Sequence, residues 1–293
     1  MSFDGEPQAA AVPKLPLWNT ICGAYSTWFS NPLDVLRISW LWLLLAALIN
    51  WAQWTSTGGI IADAVHGAQP HVPIGISLLL DLGNLFLVLG FSSVAVAWHR
   101  RIILDERPRL SGANVFTRNL WCYLGAGILI TLTAWIPMLL LFLIVFVFSI
   151  FLKASGVQGS LGVVTLIPVA VLFYLVSIAV VLRLSVLLPA RATGDFGRTF
   201  KEAWRRTRGN TWRIFWGMLA CTLPMLLILA ILVFMVIGFP TAQSLADGSF
   251  NARVAAANPI LFICYLLMLP VGIGFLSLSY LHFFGRYRPA QLR

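Results

Sequence analysis

Residues 120–152 read LWCYLGAGILITLTAWIPMLLLFLIVFVFSIFL, and no charged side chain falls between Leu120 and Leu152. A helix of this sequence is apolar on every side, so it belongs in a large core or in lipid. The whole chain decides between the two. Of its 293 residues, 59% are apolar and only 10% are charged, against about 25% charged in soluble domains. A surface so poor in charge cannot be solvated by water, so most of it faces lipid. About 20 residues cross the hydrocarbon core of a bilayer. The 120–152 segment exceeds this, measuring about 50 Å at about 1.5 Å per residue against a core of about 30 Å. It is either one helix interrupted by Pro137 and extending past the bilayer, or two short spans. The single helix is favoured, because an extra crossing would put the next basic loop on the side that Lys and Arg avoid.

Five further segments are long and apolar enough to cross, near 38–54, 73–98, 161–189, 212–240 and 259–284. Many of their ends carry Trp or Tyr, as interfacial belts do. The expected fold is therefore all-α, a polytopic transmembrane bundle of six spans within a membrane domain at 18–293. Residues 1–17 are polar and Pro-rich with one base, Lys14. They lack the pattern of a signal peptide and are expected to form a disordered tail.

The net charge of +10 is gathered in alternate loops. Arg100, Arg101, Arg107, Arg109 and Arg118 follow the second segment, and Arg191, Arg198, Lys201, Arg205, Arg206, Arg208 and Arg213 follow the fourth. Arg286, Arg288 and Arg293 follow the sixth, whereas the other loops hold only Lys153 and Arg253. Basic loops stay in the cytoplasm, so both termini are expected there. Charge distributed this way sets topology and gives no continuous surface for nucleic acid.

A weak repeat runs through the chain. The first, third and fifth spans are each preceded by a stretch ending in Asn: Asn31, Asn119 and Asn210. Trp40, Trp121 and Trp212 follow, and the even spans end in Trp98-His-Arg-Arg, Pro189-Ala-Arg and Gly285-Arg. Three helical hairpins in parallel orientation fit this pattern, and so does a general resemblance among basic span ends.

Two stretches outside the spans have helical amphipathicity and are expected to lie in the membrane plane. The first, Trp18 to Phe29, gathers Trp18, Cys22, Tyr25, Trp28 and Phe29 against Asn19, Thr20 and Ser26. In the second, Phe196 to Arg208, the stripe Phe196, Phe200, Ala203 and Trp204 is surrounded by Arg198, Lys201, Glu202, Arg205 and Arg206. Gly209 and Asn210 suit the end of a helix. Phe200, Lys201, Trp204, Arg205, Arg206 and Arg208 are the candidate contact to anionic lipid or to a partner, since each base near an anionic leaflet contributes about 1 kcal/mol.

The stretch Arg183-Leu-Ser-Val-Leu-Leu-Pro-Ala-Arg191, with Glu202-Ala-Trp204 and Thr207-Arg-Gly-Asn210-Thr-Trp-Arg213, resembles a bacterial inner-membrane family. This family comprises YciC-like proteins and the membrane domain fused to some glycerophosphodiester phosphodiesterases. The resemblance covers the six-span layout and is sharpest over 183–217. It implies a helical inner-membrane protein without established activity and a link to lipid metabolism. The fused members carry a separate soluble catalytic domain. None falls within these 293 residues, so phosphodiesterase activity is not expected.

Ionisable groups inside a span are expensive and therefore informative. Asp81, Asn84 and Arg183 form the candidate intramembrane polar site. Asp81 is the only carboxylate well inside a span, and by helical rise it differs from Arg183 in depth by about 10–20 Å. A direct pair is not expected. Arg183 is expected to snorkel toward the headgroups. His66 and His71 lie near Asp63 without the further ligand a metal needs, and His99 and His282 border span ends, where the interface is expected. Cys22, Cys122, Cys221 and Cys264 have neither disulfide nor zinc spacing. No phosphate-binding loop, nucleophile elbow or His-Glu-x-x-His pair is present. No catalytic residue, cofactor or metal is expected.

The function expected from these features is non-enzymatic. The chain would be an integral inner-membrane protein acting on its cytoplasmic face through lipid, through a membrane-protein partner or through a second copy of itself. The alternative is a transporter or exporter component with a polar site around Asp81, its path marked by Pro137, Pro168, Pro224 and Pro270.

Overall fold

A computed structural model of the chain describes residues 13–65, 74–108, 114–154, 160–238 and 249–285. Among these residues the regular structure is helical. In chain order the helices are α1 (Leu17–Ser30), α2 (Pro32–Val65), α3 (Ile74–Ile103), α4 (Arg118–Ala154), α5 (Ser160–Ser185), α6 (Leu188–Thr193), α7 (Phe200–Arg206), α8 (Thr211–Ile237) and α9 (Ser249–Phe284). Six of them, α2, α3, α4, α5, α8 and α9, are long and apolar enough to cross a membrane. The chain is a multi-pass helical membrane protein. The long third segment is one helix, α4, with Pro137 inside it. Pro32 opens α2 ahead of the apolar run, at a first-turn position that proline tolerates well.

Consecutive spans pair as three hairpins, α2 with α3, α4 with α5, and α8 with α9. The hairpins do not contribute equally. Over its most apolar window α9 is 61% buried, against 6–28% for the other five spans. It packs on α1, α2, α3, α6 and α8. Composition explains this position. The sequence Pro270-Val-Gly-Ile-Gly-Phe-Leu-Ser-Leu-Ser279 is rich in small residues, which let helices approach closely in lipid. At Gly274, a side-chain Cβ would meet the Ala24 backbone of α1 at 3.6 Å. The α4–α5 hairpin sits to one side. A small cluster of Val96, Leu120 and Ala192 joins it to α3 and α6.

Two expectations are corrected, for residues 13–17 and for His99, and a third, for α1, gains detail. Residues 13–17 are not a disordered tail. Leu15 is fully buried, its N–H donates to Asn210 Oδ1 at 2.8 Å, and its carbonyl accepts from Arg213 at 2.7 Å. Residues 1–12 lie outside the described residues. Helix α1 occupies the expected range, but it turns Thr20, Ile21 and Ala24 inward and leaves Trp18, Cys22 and Phe29 exposed. Tyr25 donates to the Ala220 carbonyl at 3.0 Å and Trp28 Nε1 to the Leu267 carbonyl at 3.1 Å. Both acceptors lie well inside spans, so α1 is wedged against α8 and α9. His99 is not interfacial but fully buried. Its Nδ1 lies 2.7 Å from Ser277 Oγ, whose own proton goes to the Ile273 carbonyl at 2.9 Å. Nδ1 is therefore the protonated nitrogen.

Candidate functional site at the basic end

The ends of α3 and α9, the starts of α4 and α8, and the short helices α6 and α7 meet where the basic loops converge. Helix α6 stops at Gly194, whose φ of 85° lies in the left-handed region that glycine adopts at helix ends. The reversal carries Asp195 under the end of α9. Asp195 is buried, accepts from Tyr280 Oη at 2.9 Å and pairs with Arg198 Nε at 3.1 Å. Thr199 then caps α7 by accepting from the Glu202 N–H at 3.2 Å, which fixes the helix start. Glu202 takes Arg198 at 2.9 Å and Arg206 at 3.0 Å. Burial works against the Arg198 charge, but Asp195 and Glu202 outweigh it and hold its pKa above the ordinary value.

The second amphipathic stretch is thus shorter than its sequence implies. It runs Phe200–Arg206, and Phe196 lies outside it under the Arg118 guanidinium, 4.7 Å from the ring centre. Ala203 is fully buried and Phe200 packs on the same core. Ala203 and Phe200 face protein, because the turn at Gly194 folds α7 back against α5 and α9. Of the stripe only Trp204 is exposed. Around it Lys201, Arg205 and Arg208 are exposed as well, whereas Arg206 is turned inward and donates to the Phe283 carbonyl at 2.8 Å.

Arg183 and Arg191 act here as clamps. Arg183 donates to Thr207 Oγ1 at 3.2 Å and to the Trp204 carbonyl, and stacks 3.5 Å from the Trp204 ring centre. It does not simply snorkel; it ties α5 to α7. Arg191 donates to the carbonyls of Phe196 and Arg198 at 2.9 and 2.8 Å. The three repeat asparagines each bridge two segments. Asn31 accepts from Arg101 at 3.2 Å, Asn119 donates to the Ala192 carbonyl at 3.2 Å, and Asn210 holds Pro13 and Leu15. A polar side chain just before an apolar span is thereby satisfied by backbone or by charge. The pattern was visible in the sequence, but the partners of each Asn were not.

The structure does not gather the candidate intramembrane site. Asp81 and Asn84 are exposed on α3, near its far end, while Arg183 is committed to α7 at the basic end. Inward-facing polar groups of α3 are Ser92, Ser93 and His99. Asp63 lies at the end of α2, and His66 and His71 lie outside the described residues.

Electrostatically this end is unbalanced. Its described carboxylates, Asp34, Asp105, Glu106, Asp195 and Glu202, are all held by arginines: Arg101 takes the first two, Arg100 takes Glu106, and Arg198 and Arg206 take the rest. No carboxylate among the described residues bonds Arg183, Lys201, Arg205 or Arg208. Sequence reasoning missed the grooves beside α5. One, of about 370 Å³, lies against α4 and is lined by Thr131, Ala134, Trp135, Tyr174, Ile178 and Leu182 among others. The other, of about 140 Å³, lies against α8 and includes Ala179, Leu182, Thr211 and Trp212. In comparisons with known proteins, no family model, curated protein or solved structure matches the chain.

Proposed function

We propose that the protein acts without catalysis at the membrane surface of its basic end, by binding anionic lipid. The observation that carries this reading is the corner at α7, where Lys201, Arg205 and Arg208 are exposed around Trp204 while every described carboxylate at that end is engaged. Lys201, Arg205 and Arg208 have no carboxylate partner among the described residues. Lipid phosphates supply the missing charge, at about 1 kcal/mol for each base near the surface. The resemblance over residues 183–217 extends the reading to a bacterial inner membrane, with both termini cytoplasmic.

Two measurements test it. Reporter fusions at Asp195 and after Arg293 are expected to read cytoplasmic, and those at Gly67 and Asp247 external. An external reading at Asp195 overturns the orientation and removes the cytoplasmic leaflet as the binding surface. For the lipid itself, the full chain is extracted in mild detergent and the co-purified phospholipid compared with the source membrane. Anionic species are expected to be enriched, and Lys201→Gln with Arg205→Gln to reduce the enrichment. Wild-type protein carrying lipid in the bulk ratio refutes the proposal.

A further inference from the structure

Helix α3 ends in a reversal. Asp105 takes a φ of 54°, a left-handed conformation that Asp tolerates better than most residues, and Arg101 holds its carboxylate. The chain then turns back, and Glu106 accepts from Arg100 Nε and Nη2 at 2.9 and 2.7 Å. Arg100 Nη1 donates in turn to the Ala192 carbonyl at 3.3 Å, and Asn119 Nδ2 donates to the same oxygen at 3.2 Å. The end of α3, the turn after it and the start of α4 are thereby fixed around one cavity of about 130 Å³. Arg100, Glu106, Arg107, Asn114, Thr117 and Asn119 are among the residues that line it.

Donors outnumber acceptors in this lining. Glu106 is taken at both oxygens by Arg100, so these two charges cancel locally. Arg107 is exposed, and neither its guanidinium nor the Asn114 amide has a partner among the described residues. Thr117 donates its hydroxyl to the Asn114 carbonyl at 2.6 Å and does not cap α4, so the positive end of that helix adds to the same sign. An uncompensated guanidinium and two amides thus converge from three segments. A carboxylate presents its acceptors along one edge, whereas a tetrahedral oxyanion presents them on every side. The cavity is small beside the roughly 300–1,000 Å³ of sites for drug-sized molecules, and its polar walls do not suit an acyl chain.

We propose that this cavity binds a single phosphate group. Arg107 is the cationic ligand, Asn114 and Asn119 donate from the other sides, and the Arg100–Glu106 pair holds the frame. A soluble phosphate and a phospholipid headgroup share this chemistry. The site is separate from the corner at Lys201, Arg205 and Arg208 and does not depend on the lipid-binding reading given to that corner.

The test uses the full chain in phosphatidylcholine nanodiscs, titrated calorimetrically at constant ionic strength with inorganic phosphate and with glycerol phosphate. Saturable binding of one anion per chain is expected, and chloride is not expected to replace it. Arg107→Gln and Asn114→Ala are each expected to weaken binding about ten-fold. Arg107 holds no other described segment, so its variant carries the test even if Asn114→Ala fails to fold. Lys201→Gln with Arg205→Gln is expected to leave the affinity unchanged. Native mass spectrometry after exchange into phosphatidylglycerol separates the two sources. Phosphatidylglycerol retained by the wild type and lost from Arg107→Gln assigns the headgroup; equal retention assigns a soluble phosphate. The site is overturned if neither anion binds saturably, if Arg107→Gln binds like the wild type, or if the Lys201 and Arg205 variant loses the binding.

Discussion

Replacing Gly217 by Ala is expected to destabilise the bundle by about 1–3 kcal/mol, the usual effect of forcing extra volume into a filled core. Gly217 lies in the second turn of α8, directly against the Phe275 ring of α9. An added Cβ would fall 2.0 Å from Phe275 Cζ and 2.3 Å from its Cε2. The ring cannot swing aside, because Phe275 is fully buried within the largest core cluster. Either α8 moves away from α9 or the ring leaves its rotamer, and both lose contacts in the centre of the fold. Phe275→Leu, which shortens the obstructing side chain, is expected to recover part of the loss in the Gly217→Ala background, since two residues in contact are not additive. Unfolding in mixed micelles followed by tryptophan fluorescence measures both. If Gly217→Ala melts like wild type, α8 and α9 do not approach as closely as described.

Asp195→Ala is expected to produce a comparable or larger loss. Removing one member of a buried charge pair costs about 3–5 kcal/mol. That figure is reduced here because the Arg198 side chain is 31% exposed and water can solvate it. The Tyr280 hydroxyl has no such relief, for Tyr280 is fully buried, and an unpaired buried hydroxyl costs about 1–3 kcal/mol. Asp195→Asn keeps an oxygen that can accept from Tyr280 and is expected to be milder. In a Tyr280→Phe background there is no hydroxyl to strand, so Asp195→Ala should cost about 1 kcal/mol less than in wild type. Equal costs in the two backgrounds would mean that Asp195 and Tyr280 are not coupled. Thermal melting of the four proteins in one detergent decides this.

The six spans and the unbroken third helix were legible because length, hydropathy and loop charge are properties of the chain itself. The central position of α9 was less so. Its hydropathy resembles that of its neighbours, and what separates it is the run of small residues from Gly272 to Ser279, whose meaning depends on which helices arrive. Helix α7 illustrates a second limit. Its periodicity located one apolar face, but periodicity does not say what covers that face, and the turn at Gly194 brings protein against Ala203 and Phe200 while Trp204 stays exposed. Polar residues within spans met the same limit. Asp81 and His99 share α3, yet one is exposed and the other wholly buried, and the helix is too uniformly apolar for its sequence to mark an inner side. The basic corner was legible as composition. Its division into bases that clamp the fold and bases left free depended on long-range partners such as Thr207, Phe283 and Leu15.

Among the described helices, the one around which the others are arranged is also the one the ribosome makes last. Until α9 emerges, α1 has no Gly274 to cross and no Leu267 carbonyl to receive Trp28, and α2 and α3 lack the partner that their inner faces enclose. The α2–α3 and α4–α5 hairpins can pair beforehand, but α1, α2 and α3 wait in lipid for the helix they share. Closing of the core around α1, α2 and α3 is then a late event that needs α9. A chain lacking α9 would leave the inner faces of α1, α2 and α3 open to lipid, so one helix decides whether the other three have a common core.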